Sequence, residues 1–316
     1  MEAQVEISDR ESGYLGFSSS ENRTQTQRLT VVGWLWKSST GKARYTPEHA
    51  NIWARMIHRH LTLPHRLCLL TDWDSSAPGA DFDPLIEPVP LWSDWRELRN
   101  PAWPENRPNC YVRLKAFSEE FGKILLHHEG HEGHEGLNIV PRFVSIDLDC
   151  VVLKNLDPLF DRDEDFLIYR RHLEQIPQDE VNVYQASMWM MKAGARKKVW
   201  EDFKGLASVR AADGYLGTDQ AWMRHSLGDG ESGWTREDGV YGWPNICRDR
   251  RYKAKPPEDA RIIFFYGGEK PWHFASTERP RCHACGADVR VKPPWELNFN
   301  RHGATDDYQW IPRNYC

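Results

Sequence analysis

Apolar residues in this chain gather in short runs separated by polar stretches rich in Gly and Pro. The first run, Leu29-Thr30-Val31-Val32-Gly33-Trp34-Leu35, is rich in β-branched residues and too short for a typical helix, so it predicts a buried strand. A polar loop from Ser38 to Arg44 follows. Thr46-Pro47-Glu48 then supplies a capping hydroxyl, a proline suited to the first helical position and an acid for the first turn. Ala50, Trp53, Ile57 and Leu61 continue at helical spacing, and Arg66-Leu67-Cys68-Leu69-Leu70-Thr71-Asp72 reads as the next strand. Strand, helix and strand in so short a span make a βαβ unit, which predicts an α/β fold with a mostly parallel central sheet flanked by helices. Further on, the pattern predicts a short strand near Ile86–Leu91, a helix over Arg113–Phe121 and a strand running from Phe143 into Asp147. Strands at Asp165–Tyr169 and Val183–Met191, helices at Ala195–Leu206 and Gly217–Leu227, and a last strand at Arg261–Phe265 complete the reading. Residues 1–28 are polar and aperiodic, as expected of a flexible arm. Residues 29–275 form the main domain, and 276–316 a loop-rich C-terminal extension.

One polar interruption carries chemistry. In Phe143-Val144-Ser145-Ile146-Asp147-Leu148-Asp149-Cys150-Val151-Val152, two carboxylates spaced i, i+2 stand where a buried strand ends. In extended backbone that spacing points both to one face. Two like charges so placed repel unless something positive lies between them, most simply a divalent cation. Oxygen donors suit a hard ion such as Mn2+ or Mg2+, and such an ion commonly grips a phosphate as well. Ligands of open α/β sheets bind beyond the carboxyl ends of the strands, where this pair is expected.

Composition narrows the field. A chain of 316 residues can bury a substantial core, and a net charge of −5 argues against a protein built around a polyanion. Fifteen tryptophans offer flat amphipathic surface, and most are expected in the core. No run is long and apolar enough to span a bilayer, and the start lacks a charged region followed by an apolar one. The expectation is a soluble cytoplasmic protein without a membrane partner. Seven cysteines, mostly scattered, fit a reducing compartment. Cys282-His283-Ala284-Cys285 is half of a structural zinc site, with surface thiols as the plainer reading. The His-Glu-Gly triplets of 128–136 read as a solvated insertion, and Met188-Trp189-Met190-Met191 as core packing.

Several of these segments together resemble a known family. Ile146-Asp147-Leu148-Asp149-Cys150-Val151-Val152-Leu153-Lys154-Asn155-Leu156-Asp157-Pro158-Leu159-Phe160 resembles the DxD segment of GT-A-fold glycosyltransferases, most nearly the glycogenin-like family eight. Tyr45, Asn51 and the Arg59-His60-Leu61-Thr62-Leu63-Pro64 turn resemble a related group of uncharacterised bacterial proteins. The resemblance runs in order from Leu29 to Trp272 and implies a GT-A-like fold. It makes Asp147 and Asp149 metal ligands, puts Arg113 near the donor and lines the sugar pocket with Gln185-Ala186-Ser187. It gives Asp219 and Gln220 to the donor sugar, through Gly217-Thr218-Asp219-Gln220. Lys270, in Gly267-Gly268-Glu269-Lys270-Pro271-Trp272, then approaches the diphosphate. Where the family has a third metal ligand, a His, this chain has Tyr266, whose phenol, with an ordinary pKa near ~10, ligates only weakly. His273 lies just beyond, and water is a further option. By fold analogy the nucleoside lies between Trp34 to Lys37 and Thr71-Asp72, with Trp34 or Trp36 as a stacking face.

The implied reaction is hexosyl or pentosyl transfer, with retention, from a nucleotide-diphosphate sugar, a UDP-sugar first, to a hydroxyl acceptor. The acceptor site falls to the variable stretches 92–110 and 228–257, and a glycan, a small molecule or a modified DNA base all fit. The basic run Arg248–Lys255 permits the DNA-base option, and a solvated loop explains it equally. Two other readings compete: a haloacid-dehalogenase-type phosphatase with Asp147 as nucleophile, and a non-catalytic nucleotide-sugar-binding module.

Overall fold

Strand β1 (Leu29–Leu35) is buried at every position and lies between two parallel neighbours, β2 (His65–Thr71) and β4 (Arg142–Ile146). Helix α1 (Pro47–His60) makes the crossover from β1 to β2, starting at the expected proline, and β3 (Ile86–Pro90) extends the parallel set beyond β2. On the other side β7 (Tyr184–Lys192) runs antiparallel between β4 and β6 (Phe166–Arg170), and β8 (Gly233–Trp234) pairs parallel to β6. The seven-stranded order is thus β3-β2-β1-β4-β7-β6-β8, with β7 alone reversed. A second, three-stranded sheet has the order β5 (Cys150–Val152), β10 (Ile262–Phe264) and β9 (Val240–Gly242). The computed structural model describes residues 28–37, 45–74, 81–101, 109–127, 141–171, 183–215, 217–249, 251–252 and 255–275. The arm up to residue 27, the triplet repeat at 128–136, and Cys282 and Cys285 with the rest of 276–316 lie outside the described residues.

The sheet separates two apolar clusters because successive strand residues face opposite ways. Val31 and Leu35 join Trp53 and Ile57 of α1 on one face, while Val32 and Trp34 join Phe117, Phe121 and Trp189 on the other. The Met188–Met191 run is completely buried, so its reading as core is borne out. Aromatic contacts tie the second cluster together, with Phe117 stacked on Trp189 at 4.8 Å and Phe143 edge-on to the same indole at 5.4 Å. Removing so large a buried ring costs about 3–5 kcal/mol.

Several boundaries differ from those expected, each for a local reason. The predicted helix at Arg113–Phe121 is a 3-10 helix at Asn109–Phe117 followed by α2 (Glu119–His127). Ser118 divides them, donating its N–H to Lys115 O and accepting from Phe121 N at its side chain. The helix predicted over Ala195–Leu206 is two short ones, α4 (Lys198–Glu201) and α5 (Leu206–Ala211), separated by Gly205 at φ 59°. That φ lies in the left-handed region, where Gly alone is unstrained. The variable stretch from 228, for which no element was expected, holds β8, β9 and α7 (Trp243–Arg248). A short helix α3 (Asp157–Phe160) explains why the Asn155–Phe160 and Arg59–Pro64 segments occur together. Leu156 N donates to His60 O, and the Asp157 carboxylate accepts the Thr62 and Leu63 amides at 2.7 and 3.2 Å.

Candidate functional site

The strand that leads into the carboxylates ends just before them, as expected. β4 ends at Ile146 in the large sheet and β5 begins at Cys150 in the small one, so Asp147 and Asp149 occupy the crossing between sheets. Alternation survives the break: Leu148 turns into the core while both acids face a cleft. The backbone is pinned from both sides, with Asp147 N donating to Ser187 O at 2.9 Å and Phe265 N to Asp149 O at 2.8 Å.

The cleft encloses about 310 Å³ at the carboxyl end of β4. Its far wall comes from β7, where pairing with β6 slips between Ile168/Trp189 and Tyr169/Gln185. This bulge changes the phase of β7. Ala186 and Trp189 share one apolar cluster, whereas Met188 and Met190 belong to the other. Gln185 and Ser187 both line the cleft, with Gln185 Nε2 donating to Ser187 Oγ at 3.3 Å. Bulges commonly re-aim side chains beside sites in this way. In the 3-10 helix, residues three apart eclipse, so Cys110 and Arg113 reach the cleft from one side. Helix α6 (Asp219–Leu227) brings Asp219 and Gln220 at its first turn. Gly217 precedes it at φ 106°, and a Cβ there would come within 2.3 Å of the Gln220 side chain. Ala186 N donates to Gln220 Oε1 at 3.3 Å and fixes the amide's orientation.

Charge is paired inside this cleft. Arg113 donates from Nε to Asp219 Oδ2 at 2.8 Å, and its other two nitrogens reach Asp219 and Asp147. Asp219 also accepts from the Thr218 hydroxyl at 3.0 Å. Lys270 donates to Asp149 and, at 2.7 Å, to Phe265 O, while the Tyr45 hydroxyl donates to Asp149 at 3.0 Å. Trp272 holds this segment in place, its ring 4.0 Å from His49 and 5.3 Å, edge-on, from Tyr45. Arg113, Asp149, Asp219 and Lys270 are all at most 5% exposed. Burial pushes the Asp147 carboxyl up to about 6; Arg113 opposes the shift, and Asp149 and Asp219 add to it. Burial would lower the Arg113 pKa, but Asp147 and Asp219 more than reverse that, so it stays charged. Burial also pushes the Cys110 thiol up to about 11, which leaves it a protonated wall group rather than a nucleophile.

Of the residues singled out in the sequence, the structure gathers Arg113, Asp147, Asp149, Gln185, Ser187, Asp219, Gln220, Tyr266 and Lys270 around one cleft. Trp34, Lys37 and Asp72 do not line it. Trp34 is only 5% exposed, edge-on to Trp92, with its indole N–H on Ser145 Oγ at 2.8 Å; it is a core residue and offers no stacking face. Asp72 accepts from Lys37 N at 2.9 Å and Arg96 at 2.5 Å, and the Lys37 ammonium lies 5.0 Å above the Trp73 ring. Trp36 is half-buried against the second apolar cluster. Sequence reasoning gave no site role to Tyr45, Cys110, Arg171 or Thr218, although Tyr45 and Thr218 stood within the segments that carry the resemblance. Of the other two, Arg171 had a usable signal, as part of a basic pair at the end of an apolar strand. In the basic run, Arg251 pairs with Asp249 at 2.6 Å.

A divalent cation is poorly served by this donor set. Asp147 and Asp149 are hard oxygen donors, yet Arg113 and Lys270 already occupy them. The third place holds the Tyr266 phenol, which burial shifts further toward its neutral form. Among the described residues no group of three or more His, Cys, Asp or Glu side chains is arranged to hold a metal ion. The positive charge that two adjacent carboxylates demand is supplied by the protein itself.

No protein-family model and no curated protein matches the sequence. Among solved structures the chain is similar to an active-site mutant of LgtC, with 14% identity over 78% of this chain and 90% of that one, at a TM-score of 0.51. It is similar also to the galactosyltransferase LgtC in complex with donor and acceptor sugar analogues, with 13% identity over the same shares, at a TM-score of 0.50. The chain has the GT-A glycosyltransferase fold. That architecture does not favour the phosphatase reading, in which the strand bearing the first Asp opens the fold; here three strands of the sheet precede it.

Proposed function

We propose that this protein is a glycosyltransferase moving a sugar from a nucleoside-diphosphate donor, a UDP-sugar first, to a hydroxyl acceptor with retention. One observation carries the reading: the Asp147–Arg113–Asp219 chain, drawn from three separate segments, shares a cleft with Lys270 at the carboxyl end of β4. The reaction breaks the bond between the anomeric carbon and a phosphate oxygen, and charge grows on the leaving diphosphate. Lys270, with its ammonium on the cleft floor, stabilises that charge without waiting for solvent to reorganise. Asp219, held by two nitrogens of Arg113, puts a fixed negative charge beside an anomeric carbon that becomes positive. Gln220, oriented by the Ala186 amide, meets sugar hydroxyls together with Gln185. Arg113 is a positioning residue for both acids.

Thermal unfolding with UDP, GDP and their sugar conjugates tests the donor class. A nucleotide at about 100 times its Kd adds roughly 2.7 kcal/mol of stability. Release of nucleoside diphosphate from the sugar conjugate measures turnover, and Asp219→Asn is expected to lower kcat by about a hundredfold or more. The NMR signal of the product's anomeric proton checks retention. Absence of any nucleotide effect, together with phosphatase activity that Asp147→Asn abolishes, would overturn the proposal.

A further inference from the structure

Three carboxylates, Asp147, Asp149 and Asp219, share the cleft with three cations, Arg113, Lys270 and Arg171. Their pairing is unequal. Arg113 is committed to Asp147 and Asp219, and Lys270 to Asp149. Arg171 has no carboxylate partner among the described residues. Its guanidinium carbon lies 5.6 Å from the centroid of the Tyr266 ring, and its Nε is buried without a hydrogen bond there. A buried donor left unmet costs about 1–3 kcal/mol, more when charged, and a guanidinium matches the oxygens of a phosphate in pairs. Arg171 is thus a cation aimed at a cleft in need of an anion. A divalent ion at Asp147 and Asp149 would instead have to part Lys270 from its carboxylate and Arg113 from one of its two. An incoming diphosphate asks less, because it can share Lys270 with Asp149 and give Arg171 the anionic partner it lacks among the described residues.

We infer that the cleft holds the donor diphosphate between Lys270 and Arg171, with no resident divalent cation on Asp147 and Asp149. The inference rests on the glycosyltransferase reading and specifies how that site handles charge. Arg171 grips one phosphate through paired N–H groups, Lys270 supplies a point charge to the other, and Asp149 keeps Lys270 in place. On transfer the anomeric C–O bond breaks with its electron pair going to the diphosphate. The acceptor oxygen bonds to the anomeric carbon, and the acceptor's proton passes to the departing diphosphate.

The test is calorimetric titration of the full-length, EDTA-treated protein with UDP, with and without Mn2+, alongside Mn2+ alone followed by its EPR signal. Wild type should bind UDP with a Kd that Mn2+ changes by less than about threefold, and Mn2+ alone should show no binding below about 1 mM. Arg171→Gln should weaken UDP by about tenfold in EDTA with an unchanged circular dichroism spectrum, and Arg171→Lys should recover part of the loss. Tightening of UDP binding by Mn2+ of about tenfold or more, Mn2+ binding that Asp149→Asn removes, or unchanged UDP affinity in folded Arg171→Gln would each overturn the inference while leaving the transferase reading standing. Failure of UDP and GDP to bind under any condition would bring down both.

Discussion

Replacing Arg113 with Met removes the only guanidinium that the three-segment network shares, and the geometry says where the cost falls. Asp147 is the less buried of the two acids, with a quarter of its side chain exposed, so it loses less when the guanidinium is removed. Asp219 loses more, since its side chain is 3% exposed and it gives up two nitrogens, at 2.8 and 2.5 Å. Among the described residues its remaining side-chain hydrogen bond is from the Thr218 hydroxyl. Breaking a buried pair by deleting one member typically costs about 3–5 kcal/mol, because the survivor is a buried charge without compensation. Methionine has nearly the stem length of arginine, so little packing is lost and the loss measures the charge. The double variant Arg113→Met/Asp219→Asn removes that stranded charge and should recover about 2 kcal/mol relative to Arg113→Met alone. Urea unfolding followed by tryptophan fluorescence reads both values as midpoint shifts at constant slope. A loss below about 1 kcal/mol in Arg113→Met, or a double variant as unstable as the sum of the two single ones, would refute the network as an energetic unit.

Other outcomes follow from single contacts. Gly217→Ala places a Cβ against Gln220 at a φ that L residues rarely adopt, so it should cost about 1–3 kcal/mol and lower kcat by displacing that amide; denaturation and turnover read the two effects. Partial burial acts to raise the Asp157 pKa, but the Thr62 hydroxyl and the Thr62 and Leu63 amides outweigh it and hold the carboxyl below its ordinary value. Its stabilisation is therefore present at neutral pH and lost as pH falls through the lowered pKa. Asp157→Asn should cost about 1 kcal/mol at neutral pH, and its gap from wild type should close at acid pH. Asp147 has the opposite sign. Its folded pKa of about 6 exceeds the ordinary 3.8, so the folded chain binds the extra proton in that window. Wild type should gain stability relative to Asp147→Asn as pH is lowered from about 7 to about 4, and a loss relative to that variant over the same range would show the shift to be wrong.

The opening β1–α1–β2 unit was legible almost to the residue because its signals are local: a capped helix start, an apolar stripe of period 3.6 and two short buried runs. Boundaries failed where a single residue overrides periodicity, as Ser118 and Gly205 do. The candidate site was legible as a set of residues, since Asp147, Asp149, Arg113, Asp219, Gln220 and Lys270 all meet in one cleft. Trp34 misled because an indole at a strand end reads equally as core or as a stacking face. Only packing against Trp92 and Phe121 decides between them.

By itself, then, the sequence determined the α/β alternation, the place where the main strand breaks into two acids, and the demand for positive charge beside them. Each follows from chemistry within a few residues. Only the tertiary structure decided what meets that demand. Arg113 and Asp219 are 106 positions apart, and Lys270 and Asp149 are 121 apart. No periodicity spans such distances. The bulge in β7, the crossing between two sheets and the clamp of Tyr45, His49 and Trp272 bring those groups together, and the carboxylates find their cations within the chain.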